Sequence, residues 1–292
     1  MNKKSFLSII FGLCFAVLLV EPLFADFGPK QSVRIEIENV PDNQSYVITL
    51  FSLNAVSGPH NSNRPRRHND TINFEERERY YEIFSPYAEQ KNAKYLNHYQ
   101  RSRGDSTYVW GYYPPMEFYI ALYVPATERM FVTENTYSSY AFHSVFKMNM
   151  EHFDWEASHA NLPEATKAYD YSKEAMGFGL RILATLVIEL GLAWLLFYRR
   201  SYQVRLIILT NILTQILLNI VLALAIFKGG PWAFYFLILP LEVVVFLIEA
   251  IVYRKRLIRG THDKEKVGPV LYAFIANSAS FVASVVLYQL MA

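Results

Sequence analysis

The sequence is almost without cysteine: Cys14 is the only one in 292 residues. It sits in a leading segment with the pattern of an export signal. Lys3 and Lys4 precede an apolar run from Phe6 to Val20, and Leu23-Phe24-Ala25 supplies a cleavage site. Phe11-Gly12-Leu13, just before Cys14, lacks the small residues of a lipoprotein site. The alternative is an uncleaved anchor that forms a fifth helix, its N-terminus cytoplasmic either way; cleavage after Ala25 leaves a chain with no thiol. Disulfides are thereby excluded, and an exported domain must hold itself together by burying apolar side chains.

Other absences narrow the function. There is no P-loop, no dinucleotide fingerprint and no Ser-His-Asp arrangement, so no catalytic residue and no cofactor is expected. A basic–aromatic module for reading nucleic acid is missing too. The net charge of +2 conceals a division: residues 26–175 carry 15 basic and 20 acidic groups, and the remainder is strongly basic. Such a split points to a membrane surface or a nucleic acid, and the long apolar runs of the second half decide for the membrane.

What is present is a set of four apolar runs, at 177–198, 206–227, 232–253 and 269–290. Each is long enough to cross a hydrocarbon core of ~30 Å at ~1.5 Å per residue. Arg199, Arg200 and Arg205 fall between the first and second runs. Arg254, Lys255, Arg256, Arg259, Lys264 and Lys266 fall between the third and fourth, against Lys228 alone between the second and third. This asymmetry predicts cytoplasmic loops at 199–205 and 254–268, with the N-terminal region and the C-terminus extracytoplasmic. Trp232, Tyr235 and Tyr288 are expected as aromatic anchors at the outer interface, and Trp194, Tyr198, Tyr202 and Tyr253 at the inner one. The expected organisation is a signal peptide (1–25), an extracytoplasmic β-rich domain (26–160), a juxtamembrane segment (161–176) and a four-helix transmembrane domain (177–290). The fold class is an α+β membrane protein.

In the exported region, Val33, Ile35 and Ile37 alternate with Arg34, Glu36 and Glu38, the period of a half-buried strand. SYVITLFS, EFYIALYVP, RMFVTE and YAFHSVFKMNM add four more strands, and a small antiparallel sandwich is predicted. Residues 54–105 interrupt the pattern, with FEERERYYEIF (74–84) as a short helix. Tyr112 and Tyr113 in WGYYPP suit either an aromatic platform for a glycan or peptide, or simply a strand-rich core. In EHFDWEASH, His152, Glu156 and His159 would share one helical face, a weak metal candidate without the order of a known zinc motif.

The apolar runs carry more polar groups than lipid exposure allows. Glu189 stands in the first. Asn211, Gln215 and Asn219 form a stripe in the second, because they recur every four residues. Glu242 and Glu249 share a face of the third, ~10 Å apart along the axis. Asn277 stands in the fourth, near Ser278 and Ser280. Glu189, Asn219 and Glu242 are expected near mid-membrane, and Asn211, Glu249 and Asn277 in the inner half. With no intramembrane Lys or Arg expected beside them, three acids are costly to ionise, ~2.5–3.5 kcal/mol each at a helix centre. Pro240, two residues before Glu242, removes a helix donor and suggests a kink. The cluster suits a cation or proton site, or a hydrogen-bond network that fixes helix register.

DFGPK after the signal, WGYYPP, TNILTQ, the paired glutamates of the third run and YAFIAN in the fourth resemble multi-pass membrane proteins of clostridia and related Firmicutes. The resemblance covers most of the mature chain and implies the same architecture, without an activity. The second half alone is similar to a wider set of small four-helix membrane proteins.

These observations predict a bacterial plasma-membrane protein with a non-enzymatic envelope role, binding or sensing outside. Its expected partners are the lipid bilayer and a membrane-protein partner or second copy of the chain. The alternative is a small transporter or channel component that uses the buried Glu, Asn and Gln residues for a cation or proton. An intramembrane enzyme ranks last, because the acids come with no nucleophile pair or metal-ligand motif.

Overall fold

The computed structural model describes residues 29–54, 74–157, 161–258 and 267–291. The expected signal segment with Cys14, the loop 55–73, His159, Arg259, Lys264 and Lys266 lie outside the described residues. The chain divides into two compact units, one spanning Pro29–Tyr169 and the other containing Asp170–Ala292.

The first unit is built on two sheets. One has the order β4-β1-β8-β9, with β1 at Ser32–Glu38, β4 at Ser106–Gly111, β8 at His143–Asn149 and β9 at Thr166–Lys167. The other has the order β3-β2-β5-β6, with β2 at Ser45–Ser52, β3 at Lys94–Arg103, β5 at Glu117–Val124 and β6 at Arg129–Val132; β7, Tyr137–Ser138, also pairs with β5. The pairing is not wholly antiparallel as expected: β1 and β8 run parallel, Ser32 opposite His143 through Glu38 opposite Asn149.

Strand β2 is buried along almost its whole length, as expected for a strand covered on both faces. Tyr46, Ile48 and Leu50 join Val33, Ile35 and Phe146 of the other sheet in one apolar cluster. The alternate residues Val47 and Phe51 turn the opposite way, onto a second cluster. There they meet helix α1, Phe74–Gln90, which presents Tyr80, Phe84 and Ala88 at four-residue spacing. Strand β5 divides in the same manner: Phe118, Ile120 and Leu122 face the first cluster, Ala121 and Tyr123 the second. Leu162 and Ala165 also pack in the first cluster, so the β unit runs past the expected boundary at residue 160.

Strands β3 and β4 occupy a stretch that includes the end of the expected interruption. Their join turns at Gly104, whose φ of 61° is open to glycine without strain. Burial keeps the Tyr108 hydroxyl well above its ordinary range; it stays protonated, 2.7 Å from His98 Nδ1.

The second unit consists of helices α2 (Ser172–Leu195), α3 (Ser201–Gly229), α4 (Pro231–Arg256) and α5 (Pro269–Met291). All four are long and apolar enough to cross a membrane. Each packs on two others, α2 on α3 and α5, and α4 on α3 and α5, which closes a ring. A single residue, Gly230 at φ 77°, separates α3 from α4. Pro231 follows at the first helical position, where a missing N–H costs no helix bond.

Candidate functional site

The polar residues of the helical unit converge on its interior in two layers. In the first, Asn211 of α3 donates through Nδ2 to Glu189 Oε2 of α2 at 2.5 Å, and the same nitrogen lies 3.1 Å from the Tyr253 hydroxyl of α4. One turn along α3, the Thr214 hydroxyl donates to Glu249 Oε1 at 2.9 Å. Asn277 of α5 donates to Glu249 Oε2 at 2.6 Å. Tyr272 of α5 closes the circuit by donating to the backbone carbonyl of Glu189 at 3.1 Å. All four helices are thus joined side chain to side chain, and Glu189, Asn211 and Glu249 are fully buried.

The second layer holds Arg181, Asn219, Gln215 and Glu242. Arg181, buried on α2, donates through Nε to Asn219 Oδ1 at 2.6 Å. Asn219 Nδ2 donates back to the carbonyl of Gln215 at 2.8 Å. Glu242 is 5 % exposed, and neither carboxylate oxygen has a hydrogen-bond partner. Asn219 lies five residues beyond Thr214 on α3, and Glu242 seven before Glu249 on α4. At ~1.5 Å per residue these two are within ~3 Å of one level. Yet Arg181 and Glu242 form no ion pair, the described ones being Arg101–Glu76 and Lys147–Glu38.

The sequence-derived set is therefore brought together, with several differences. Glu189 groups with Asn211 rather than with Asn219 and Glu242. Arg181, in GLRILATL of the first apolar run, supplies a buried cation where none was expected beside the acids. Pro240 is exposed, about 200° round the helix from Glu242 at ~100° per residue, so it turns away from the acid; α4 continues through it. Thr214, Tyr253 and Tyr272 were also missed as members. Tyr198 and Tyr253 are fully buried, and their hydroxyls meet Val267 O and Asn211 Nδ2. The signal for Thr214 was its position one turn from Asn211.

Residues 151–157 form turns rather than a helix, so His152 and Glu156 share no helical face. Among the described residues no three His, Cys, Asp or Glu side chains converge as a metal set. Tyr112 and Tyr113 differ from the core tyrosines. Both have left-handed backbone, at φ 61° and 58°, their rings meet edge to face, and Tyr113 is 46 % exposed beside Met116 at 65 %.

No protein-family model matches the sequence, and no curated protein matches it. Among solved structures, a Bacteroides ovatus protein provisionally described as a cell adhesion protein is similar at 11 % identity and a TM-score of 0.23. The alignment spans 48 % of this chain and 44 % of that one, and a likeness at this level carries no argument for either unit.

Proposed function

We propose that this chain is a multi-pass protein of the bacterial plasma membrane that holds a sandwich-like β domain on the extracytoplasmic side for binding or sensing. The supporting observation is that the helical unit is inside out. Leu183, Val187, Leu213, Leu217, Leu224 and Phe236 are turned outward, while Glu189, Asn211, Gln215, Asn219 and Glu249 are buried. Such a surface is a liability in water and suits lipid. The basic residues of the 199–205 and 254–268 loops set the orientation, and Arg254, Lys255 and Arg256 also complement the C-terminal end of α4. Tyr112, Tyr113 and Met116 are the proposed recognition surface of the outer domain, because strained backbone concentrates at functional positions.

The orientation is tested by reporter fusions after Ile258 and after Ala292. A reporter active only in the cytoplasm is expected to work at the first site and fail at the second; the reverse pattern overturns the proposal. A second reading, a small transporter or channel component, is supported by the unpartnered Glu242 carboxylate. It predicts cation or proton flux in proteoliposomes that Glu242→Gln abolishes. Equal flux at the empty-vesicle baseline for both chains would remove it.

A further inference from the structure

The first polar layer contains more acceptors than donors. Glu189 Oε1, Asn211 Oδ1 and Asn277 Oδ1 are all buried and none has a hydrogen-bond partner. The orientation of the two amides follows from their partners. Each Nδ2 donates to a carboxylate and to the carbonyl four residues earlier on its own helix, Asn211 to Ile207 and Asn277 to Ala273. An ionised carboxylate only accepts, so each Oδ1 must lie on the side of the amide away from it.

The same layer holds two carboxylates and no compensating charge. Arg181 is fixed at Asn219, eight residues from Asn211 and so ~12 Å along α3. Residues 211 and 214, less than one turn apart, hold the two acids. Acids from α2 and α4 and amide oxygens from α3 and α5 are therefore drawn to one level of the ring.

We infer that Glu189, Asn211, Glu249 and Asn277 form a binding site for one dehydrated alkali cation. Carboxylate and amide oxygens are hard ligands, which suit such ions rather than thiophilic or imidazole-seeking metals. Only two carboxylates contribute. Glu189 Oε2 and both Glu249 oxygens already accept hydrogen bonds, so the three unpartnered oxygens fall well short of the ~6–8 that calcium takes. The cation would supply what Glu189 Oε1 and the two amide oxygens lack, and it would join all four helices through one centre. This goes beyond the envelope reading and does not depend on the orientation of the chain; the reporter fusions can fail while ion binding stands.

The test uses the full-length chain purified in detergent, with sodium, potassium or choline chloride as the added salt at constant ionic strength. Binding of radioactive sodium is measured directly, alongside the unfolding temperature. Saturable binding is expected for sodium, with potassium competing if it also fits, and choline should neither bind nor stabilise. Glu189→Gln and Asn277→Val are each expected to weaken binding by ~10–100-fold. Absence of saturable binding by the wild-type chain to either alkali ion overturns the proposal, whatever the variants do. So does a folded Glu189→Gln chain that binds as well as wild type, and so does loss in Glu242→Gln alone, which would move the site to the second layer.

Discussion

Asn211 and Asn277 have the same role on two helices. Each gives its amide nitrogen to an acid on a neighbouring helix and leaves its buried oxygen without a hydrogen-bond partner. Cutting either bond strands a buried carboxylate oxygen. Replacing Asn211 by Leu removes the contacts to α2 and α4 together and is expected to cost about 2 kcal/mol, read as a lowered unfolding midpoint in detergent. Leu213→Ala, two residues on, alters a side chain that is 69 % exposed and should shift that midpoint by no more than ~0.5 kcal/mol. If both variants behave alike, the network contributes nothing to holding the helices. Four-residue spacing made Asn211, Gln215 and Asn219 legible as a stripe. The partner of each was not legible, because bonds between helices depend on register and neighbour order, which periodicity along one helix does not carry. Arg181 was missed for a different reason: a lone arginine in an apolar run was absorbed into the run.

Among the elements, period-two alternation made β1 readable, and SYVITLFS and EFYIALYVP located β2 and β5, but not that both are buried on two faces. Strand β3 was not readable. Its sequence KYLNHYQRSR is polar, Asn97 sits at φ 56°, and the pairing with β2 shifts register between Thr49 and Phe51, so no clean alternation survives. The parallel pairing of β1 with β8 was equally hidden, since a strand's pattern fixes its faces and not its neighbour. Helix α1 was expected, but its role was not: it covers the second face of the β2–β5 sheet. Phe84, fully buried beneath it, is the strongest test of that role. Phe84→Ala is expected to destabilise the β unit by ~3–5 kcal/mol, measured by thermal unfolding, and a loss below ~1 kcal/mol would mean that α1 is not part of the core. In α4, Pro240 faces outward, so Pro240→Ala should leave sodium binding within about twofold; a large loss would show that the freed backbone carbonyl serves the site.

At the scale of the whole molecule, both units bury apolar clusters, and the helical unit differs in also burying charged and amide side chains beneath an apolar exterior. In the β unit Ile, Phe, Trp and Tyr go inside, the arrangement water imposes. In the helical unit Glu, Asn, Gln and Thr go inside together with apolar residues such as Leu218, Leu222, Phe234 and Ile238, while many other Leu and Val side chains are left at the surface. Lipid removes the hydrophobic reason for packing Leu against Leu, and polar side chains then become the groups that join helices. The most direct test places nitroxide spin labels at Leu213, Leu217 and Leu247, each changed singly to Cys in a Cys14→Ser chain reconstituted in liposomes. Collisions with oxygen, which dissolves in lipid, and with a water-soluble nickel chelate are then compared. High oxygen and low nickel accessibility at all three positions is the predicted result, and ready access of the nickel chelate to them would contradict a membrane-embedded, inside-out bundle.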